Sequence, residues 1–171
     1  MEKNNFSLLR SKEIIAILDG DKDFGELTFE DKYGNETKIK IAMPYLSGPA
    51  ICELSSFFGL PATYSRSGGA LSRWQYFDNI MAFCIKQNRM SDFLSYLFSK
   101  DKFVDVLRDL SVKDIQSAHE AILQKVLEQI NSILYFGGHE LRAIGKVYQV
   151  CNVGEVVAVS APAVKIIDRA Y

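Results

Sequence analysis

Apolar residues recur along the chain at two periods, one helical and one alternating, and their order predicts an α+β protein. Ile14, Ile15 and Leu18 follow Ser11 at helical spacing, with Gly20 as the stop. Leu27 and Phe29 alternate with polar residues, as do Ile39 and Ile41, and Gly34-Asn35 between them suits a turn. This is the pattern of a β-hairpin with one buried face. In LSGPAICELSSFFGLP, Ser47 predicts a cap, Pro49 a first helical turn, Gly59 a left-handed end and Pro61 a stop. Both ends of that helix are written locally.

Ser72 and Gln75 match a capping box, and Trp74, Phe77, Met81 and Cys84 follow at helical spacing. Ser91 opens a shorter helix through Phe98, and DKFVDVLRDL supplies one more turn or two. The clearest element runs from Asp114 to Leu134, where Ile115, Ala118, Ile122, Val126, Ile130 and Ile133 make one stripe behind a second capping pattern at Ser111 and Asp114. Gly137-Gly138 ends it. The Val- and Ile-rich remainder, broken at Asn152, Gly154 and Pro162, predicts two or three antiparallel strands that pair with the early hairpin. The expected fold is helices packed on a small, mostly antiparallel sheet around a long central helix.

A length of 171 residues suits one domain, 1–171, with a well-buried core. Hydrophobic residues at 48% and charged residues at 24% exclude wholesale disorder and fibrous repeats. A formal net charge of -1 removes any global electrostatic case for nucleic-acid binding and leaves only a local patch. Cys52, Cys84 and Cys151 are an odd set among apolar neighbours, with no zinc-ligand spacing. They read as buried free thiols in a reducing, cytoplasmic setting. The N-terminal stretch lacks the apolar core of a signal peptide, and no run approaches a membrane span.

The stretch YSRSGGALSRW, Tyr64 to Trp74, is the first candidate for chemistry. Glycines let successive N–H groups converge on an anion, a helix start adds partial positive charge, and Arg66 or Arg73 can fork onto phosphate. A low-specificity ligand site of Arg66, Ser67, Gly68, Gly69, Ser72 and Arg73 is therefore carried forward. Its bland alternative, the favoured one, is a Gly68-Gly69 turn, a Ser72 cap, Trp74 in the core and Arg73 in a surface ion pair. Neither GxxxxGK[ST] nor GxGxxG is present.

His119 sits in the apolar stripe of the long helix, and His139 follows its end, where it could bond exposed carbonyls. Both are candidates for a switch or an interface, with a hydrogen-bonded core residue favoured for His119. HELRA is not HExxH because Ala143 takes the last position, and no GxSxG elbow occurs. Glu53, Asp78 and Asp92 are acids without a spacing that demands chemistry. The aromatic residues Phe57, Phe58, Tyr64, Trp74, Tyr76 and Phe77 are expected in the core, with base stacking beside Arg66 the minority reading. No catalytic residue, cofactor or metal site is assigned.

MPYLSGPAICELSSFFGLPATYSRSGGALSRWQYFDNIMAFCIKQNRMSDFLSYLFSKDKF, followed by INSILYFGGHEL and VKIIDRAY, resembles the N-terminal region of bacterial abortive-infection proteins of the AbiJ N-terminal-domain type. The resemblance runs from about Met43 to the C-terminus and is most specific in the SGP helix start, SRWQY and LYFGGHEL. It implies a cytoplasmic, non-catalytic sensor or regulatory domain of an antiphage defence protein. Such a domain recognises a ligand or partner and controls a fused or associated helical effector, often related to the HEPN ribonucleases. The Arg-then-His pattern of those ribonucleases is missing at both histidines. Two alternatives stay open: a nuclease or other phosphate-handling enzyme acting on nucleic acid or nucleotide, and a protein-interaction module whose long helix makes a homodimer.

Overall fold

The computed structural model describes residues 7–65 and 71–154. Helices α1 (Lys12–Leu18), α2 (Gly48–Phe57), α3 (Arg73–Lys86), α4 (Met90–Phe98), α5 (Val104–Leu107) and α6 (Val112–Leu134) are joined by two hairpins, β1 (Glu26–Glu30) with β2 (Glu36–Lys40) and β3 (His139–Ile144) with β4 (Val147–Asn152). The class is α+β, and α6, 23 residues long, is the longest element.

Helix starts follow the local signals. Ser11 Oγ accepts from Ile14 N at 3.3 Å, Ser47 Oγ from Ala50 N at 3.2 Å and Ser111 Oγ from Asp114 N at 3.3 Å. Each satisfies one of the orphan N–H groups of a first turn. At α3, Ser72 N donates to Gln75 Oε1 at 2.9 Å, the reciprocal arm of a capping box. Helix α4 departs from expectation by beginning at Met90, so that Ser91 lies inside it.

Three helix ends close in the same way. After α1, Gly20 N donates to Ile17 O and Asp21 N to Ala16 O, with Gly20 at φ +85°. After α2, Gly59 N donates to Ser56 O and Leu60 N to Ser55 O, with Gly59 at φ +105°. After α3, Asn88 N donates to Ile85 O and Arg89 N to Cys84 O, with Asn88 at φ +58°. All three are Schellman closures, which need a left-handed residue; glycine takes that conformation freely and asparagine tolerates it.

The strands make two separate two-stranded antiparallel sheets, not the single sheet expected. The reason lies at the edges of the second hairpin. In its register, Leu141 faces Val150 and Tyr148 faces Ala143, so their own N–H and C=O groups point outward. Asn131 of α6 clamps the first edge, with Leu141 N donating to Asn131 Oδ1 at 2.6 Å and Asn131 Nδ2 to Leu141 O at 3.1 Å. Two serines of α4 close the other. Tyr148 N donates to Ser95 Oγ at 3.2 Å, and Ser91 Oγ donates to Tyr148 O at 2.7 Å. Side chains from helices thus occupy the positions where a further strand would pair. The first hairpin is held elsewhere, its tip donating from Lys32 N to Asp109 O at 2.8 Å.

One core joins these elements. Ala118, Ile122, Val126, Ile130 and Leu134 form the fully buried stripe of α6 and share one core with Ile14 and Ile15 of α1, Phe77 and Ile80 of α3 and Phe93 and Leu94 of α4. Burying each large side chain of this kind contributes about 1.5–3 kcal/mol. Cys52, Cys84 and Cys151 are all buried. Trp74 is not in the core: it is exposed on α3, with Lys12 Nζ 4.5 Å from its ring centroid. That amphipathic ring is served by a partner cation at the surface.

Candidate functional site

Arg66, Ser67, Gly68 and Gly69 lie outside the described residues, which leaves Ser72 and Arg73 of the loop singled out in the sequence. Arg73 faces back into the molecule. Its Nε donates to Leu46 O at 2.8 Å, Nη1 to Asp21 Oδ1 at 3.2 Å and Nη2 to Asp19 O at 3.2 Å, and Asp19 Oδ2 lies 3.6 Å from Nη2. Tyr45 stacks beneath the guanidinium at 4.3 Å. The fork shape of arginine is what lets one side chain satisfy three acceptors at once. A cavity of about 700 Å³ does open beside it, lined by Tyr45, Ser47, Tyr64, Ser72 and Gln75 among others, and neither histidine lines it. A phosphate entering there would meet Asp19 and Asp21 already paired with the guanidinium.

Asp19, almost fully buried, is the one strongly perturbed carboxyl among the described residues. Burial pushes its pKa up to about 6, against the opposing pull of Arg73 and of the hydrogen bond from Asp21 N. The sequence did not single it out, because a carboxylate at a helix C-cap looks solvated until Arg73 folds over it.

The histidines occupy different settings. His119 Nε2 lies 2.8 Å from Phe98 O, and the ring meets Phe103 edge-on at 4.9 Å. A carbonyl only accepts, so Nε2 carries the proton and the residue fastens α6 to the end of α4. His139, buried at the start of β3, has an Nδ1 with no hydrogen-bond partner among the described residues.

A largely apolar cavity lies elsewhere, between α2 and α4, with a volume of about 370 Å³. Ala50, Glu53, Leu54 and Phe57 line one wall at i, i+3, i+4 and i+7, the spacing of a single helix face. Tyr96 and Leu97 of α4 form the opposite wall, with Leu18 and Met43 below. Phe57 is 65% exposed, contrary to its expected place in the core; its ring stacks on Tyr96 at 5.0 Å and 30°. Lys102 Nζ sits 3.8 Å from the Tyr96 ring centroid and 3.7 Å from Asp101 Oδ2. Hydrogen bonding to Tyr96 holds the Lys102 ammonium above its ordinary pKa. The cavity is within the size range of ligand pockets and suits one or two large apolar side chains. Of this cavity the sequence showed only the bounds of α2, since Tyr96 and Lys102 arrive from more distant segments.

Among the described residues no group of His, Cys, Asp and Glu is arranged to hold a metal ion, and no helix is long and apolar enough to cross a membrane.

The run from the middle of α3 through α4 to α6 is a helical unit, and a family similarity falls on it. Residues 78–130 are similar to the family model of a fungal ubiquitin-associated domain. This is less than half of the 171 residues, and its helices also pack on α1, α2 and the second hairpin, outside the matched stretch. No match was found among curated proteins or among solved structures. The similarity corrects the expected kinship with bacterial abortive-infection proteins, and the antiphage-defence reading falls with it. Two of the strings that carried it have local explanations: Ser47 and Pro49 start α2, and Gly138 follows the turn that ends α6. Boundary signals of that kind recur in unrelated chains.

Proposed function

We propose that this chain is a non-catalytic protein-binding module that docks its partner in the groove between α2 and α4. The observation that carries the reading is Phe57: a large aromatic side chain left 65% exposed at the mouth of an apolar cavity. Single exposed apolar residues are ordinary, but one that continues a concave apolar lining marks a contact surface. The similarity to a ubiquitin-associated domain supports it, because the α4 wall with Tyr96 and Leu97 lies inside the matched residues.

The test is selection of a displayed random-peptide library on the full chain, with each selected peptide then measured on wild type and on Phe57→Asp. Ubiquitin, the partner in that family's description, is titrated alongside as a defined protein. Peptides that bind wild type and lose at least tenfold on Phe57→Asp support the reading. A selection that enriches nothing, or binders indifferent to Phe57→Asp while circular dichroism shows both proteins folded, overturns it.

A further inference from the structure

The rim of the groove has an uneven charge. Glu53, exposed on α2, makes no hydrogen bond or ion pair with any other described residue. Lys102 across the groove is engaged twice, on the Tyr96 ring and by Asp101. Among the described residues, two carboxylates against one ammonium leave the rim net negative, and the carboxylate without an ion pair there is that of Glu53. Glu53 and Phe57 are also one helical turn apart on the same face, so a cation reaching the carboxylate comes beside the exposed ring. A carboxylate and an aromatic face together favour a Lys or Arg side chain over any anionic or neutral one.

We infer that the docked partner is a protein segment presenting a large apolar side chain with a Lys or Arg beside it, the apolar group filling the cavity and the cation meeting Glu53. This rests on the docking reading above and adds the chemistry of the occupant. The cation contributes selectivity and orientation, and the apolar side chain contributes most of the affinity, because a rim ion pair is exposed to water.

The probes are synthetic alanine-rich helical peptides with Leu and Phe one turn apart, identical except for Arg, Gln or Glu at the flanking position. Fluorescence anisotropy on the full chain should rank Arg over Gln over Glu, with Arg about three- to tenfold tighter than Glu. Glu53→Gln should bring the peptides within about twofold of one another, and Glu53→Lys should reverse the order. Equal binding of all three to wild type, lost on Phe57→Asp, would overturn this inference and leave the docking reading standing. Binding by none of them would remove both. Sedimentation that shows self-association abolished by Phe57→Asp would replace the occupant with a second copy of the chain.

Discussion

Arg73 Nη2, at the first residue of α3, lies 3.6 Å from Oδ2 of Asp19, the residue that caps the end of α1, and donates to Asp19 O as well. The pair is largely buried, and the same guanidinium reaches Leu46 O before α2. One side chain therefore fastens the end of α1 and the starts of α2 and α3. Removing one member of a buried pair leaves the other charge uncompensated, at a cost of about 3–5 kcal/mol. Arg73→Met should lower stability by about that order in urea unfolding. Arg73→Lys should recover less than half of the loss, because an ammonium cannot reproduce the fork. Full recovery by lysine would reduce the contact to simple charge pairing.

Asp19 carries a pH signature. Its folded pKa is about 6, above the unfolded value near 3.8, so the folded chain holds this proton more tightly than the unfolded chain. The contribution to stability is complete below pH ~4, declines as pH rises to about 6 and is gone above that. The difference in unfolding free energy between wild type and Asp19→Asn should shift against wild type by about 2–3 kcal/mol between pH 4 and pH 7. A difference that is flat with pH would mean that Arg73 keeps the carboxyl ionised throughout.

Asn131 holds both the N–H and the C=O of Leu141. Asn131→Asp keeps the acceptor and loses the donor, leaving Leu141 O unpaired at a half-buried site, for about 1–3 kcal/mol. Hydrogen exchange should localise the effect, with faster exchange in β3 and β4 than in α1 or α3. Uniformly faster exchange would show instead that the hairpin and the helices open together.

Gly20 stands at φ +85°, and a Cβ there would fall on Tyr45 Cα and Pro44 O. Both the strained conformation and the backbone overlap oppose any side chain, so Gly20→Ala should destabilise by about 3 kcal/mol or more. Gly34, also at positive φ but with open space around it, is the control. Gly34→Ala should cost only about 1–2 kcal/mol, and equal losses would show that backbone overlap at Gly20 is relieved elsewhere.

Helix starts were legible because their chemistry is short-ranged: Ser11, Ser47 and Ser111 each accept from an N–H three residues onward. Ser91 shows the limit. Its hydroxyl looked like a cap and instead donates to Tyr148 O, a partner reached only through folding. Trp74 and Phe57 were misplaced for a related reason, since a large aromatic residue at helical spacing reads as core until the opposing surface is known. Of the candidate site, the sequence showed where α2 begins and ends and nothing of the wall it faces.

Element type, order and most boundaries belong to the chain itself, because hydrophobic period, capping hydroxyls and left-handed residues act within a few positions. Tertiary structure alone decided that the strands form two sheets, that Arg73 turns inward onto a buried Asp19, and that Phe57 and Tyr96 enclose a groove. Those features depend on which side chains meet across long stretches of chain. Pattern along the sequence cannot encode such a meeting, since any amphipathic face is compatible with many partners until packing selects one.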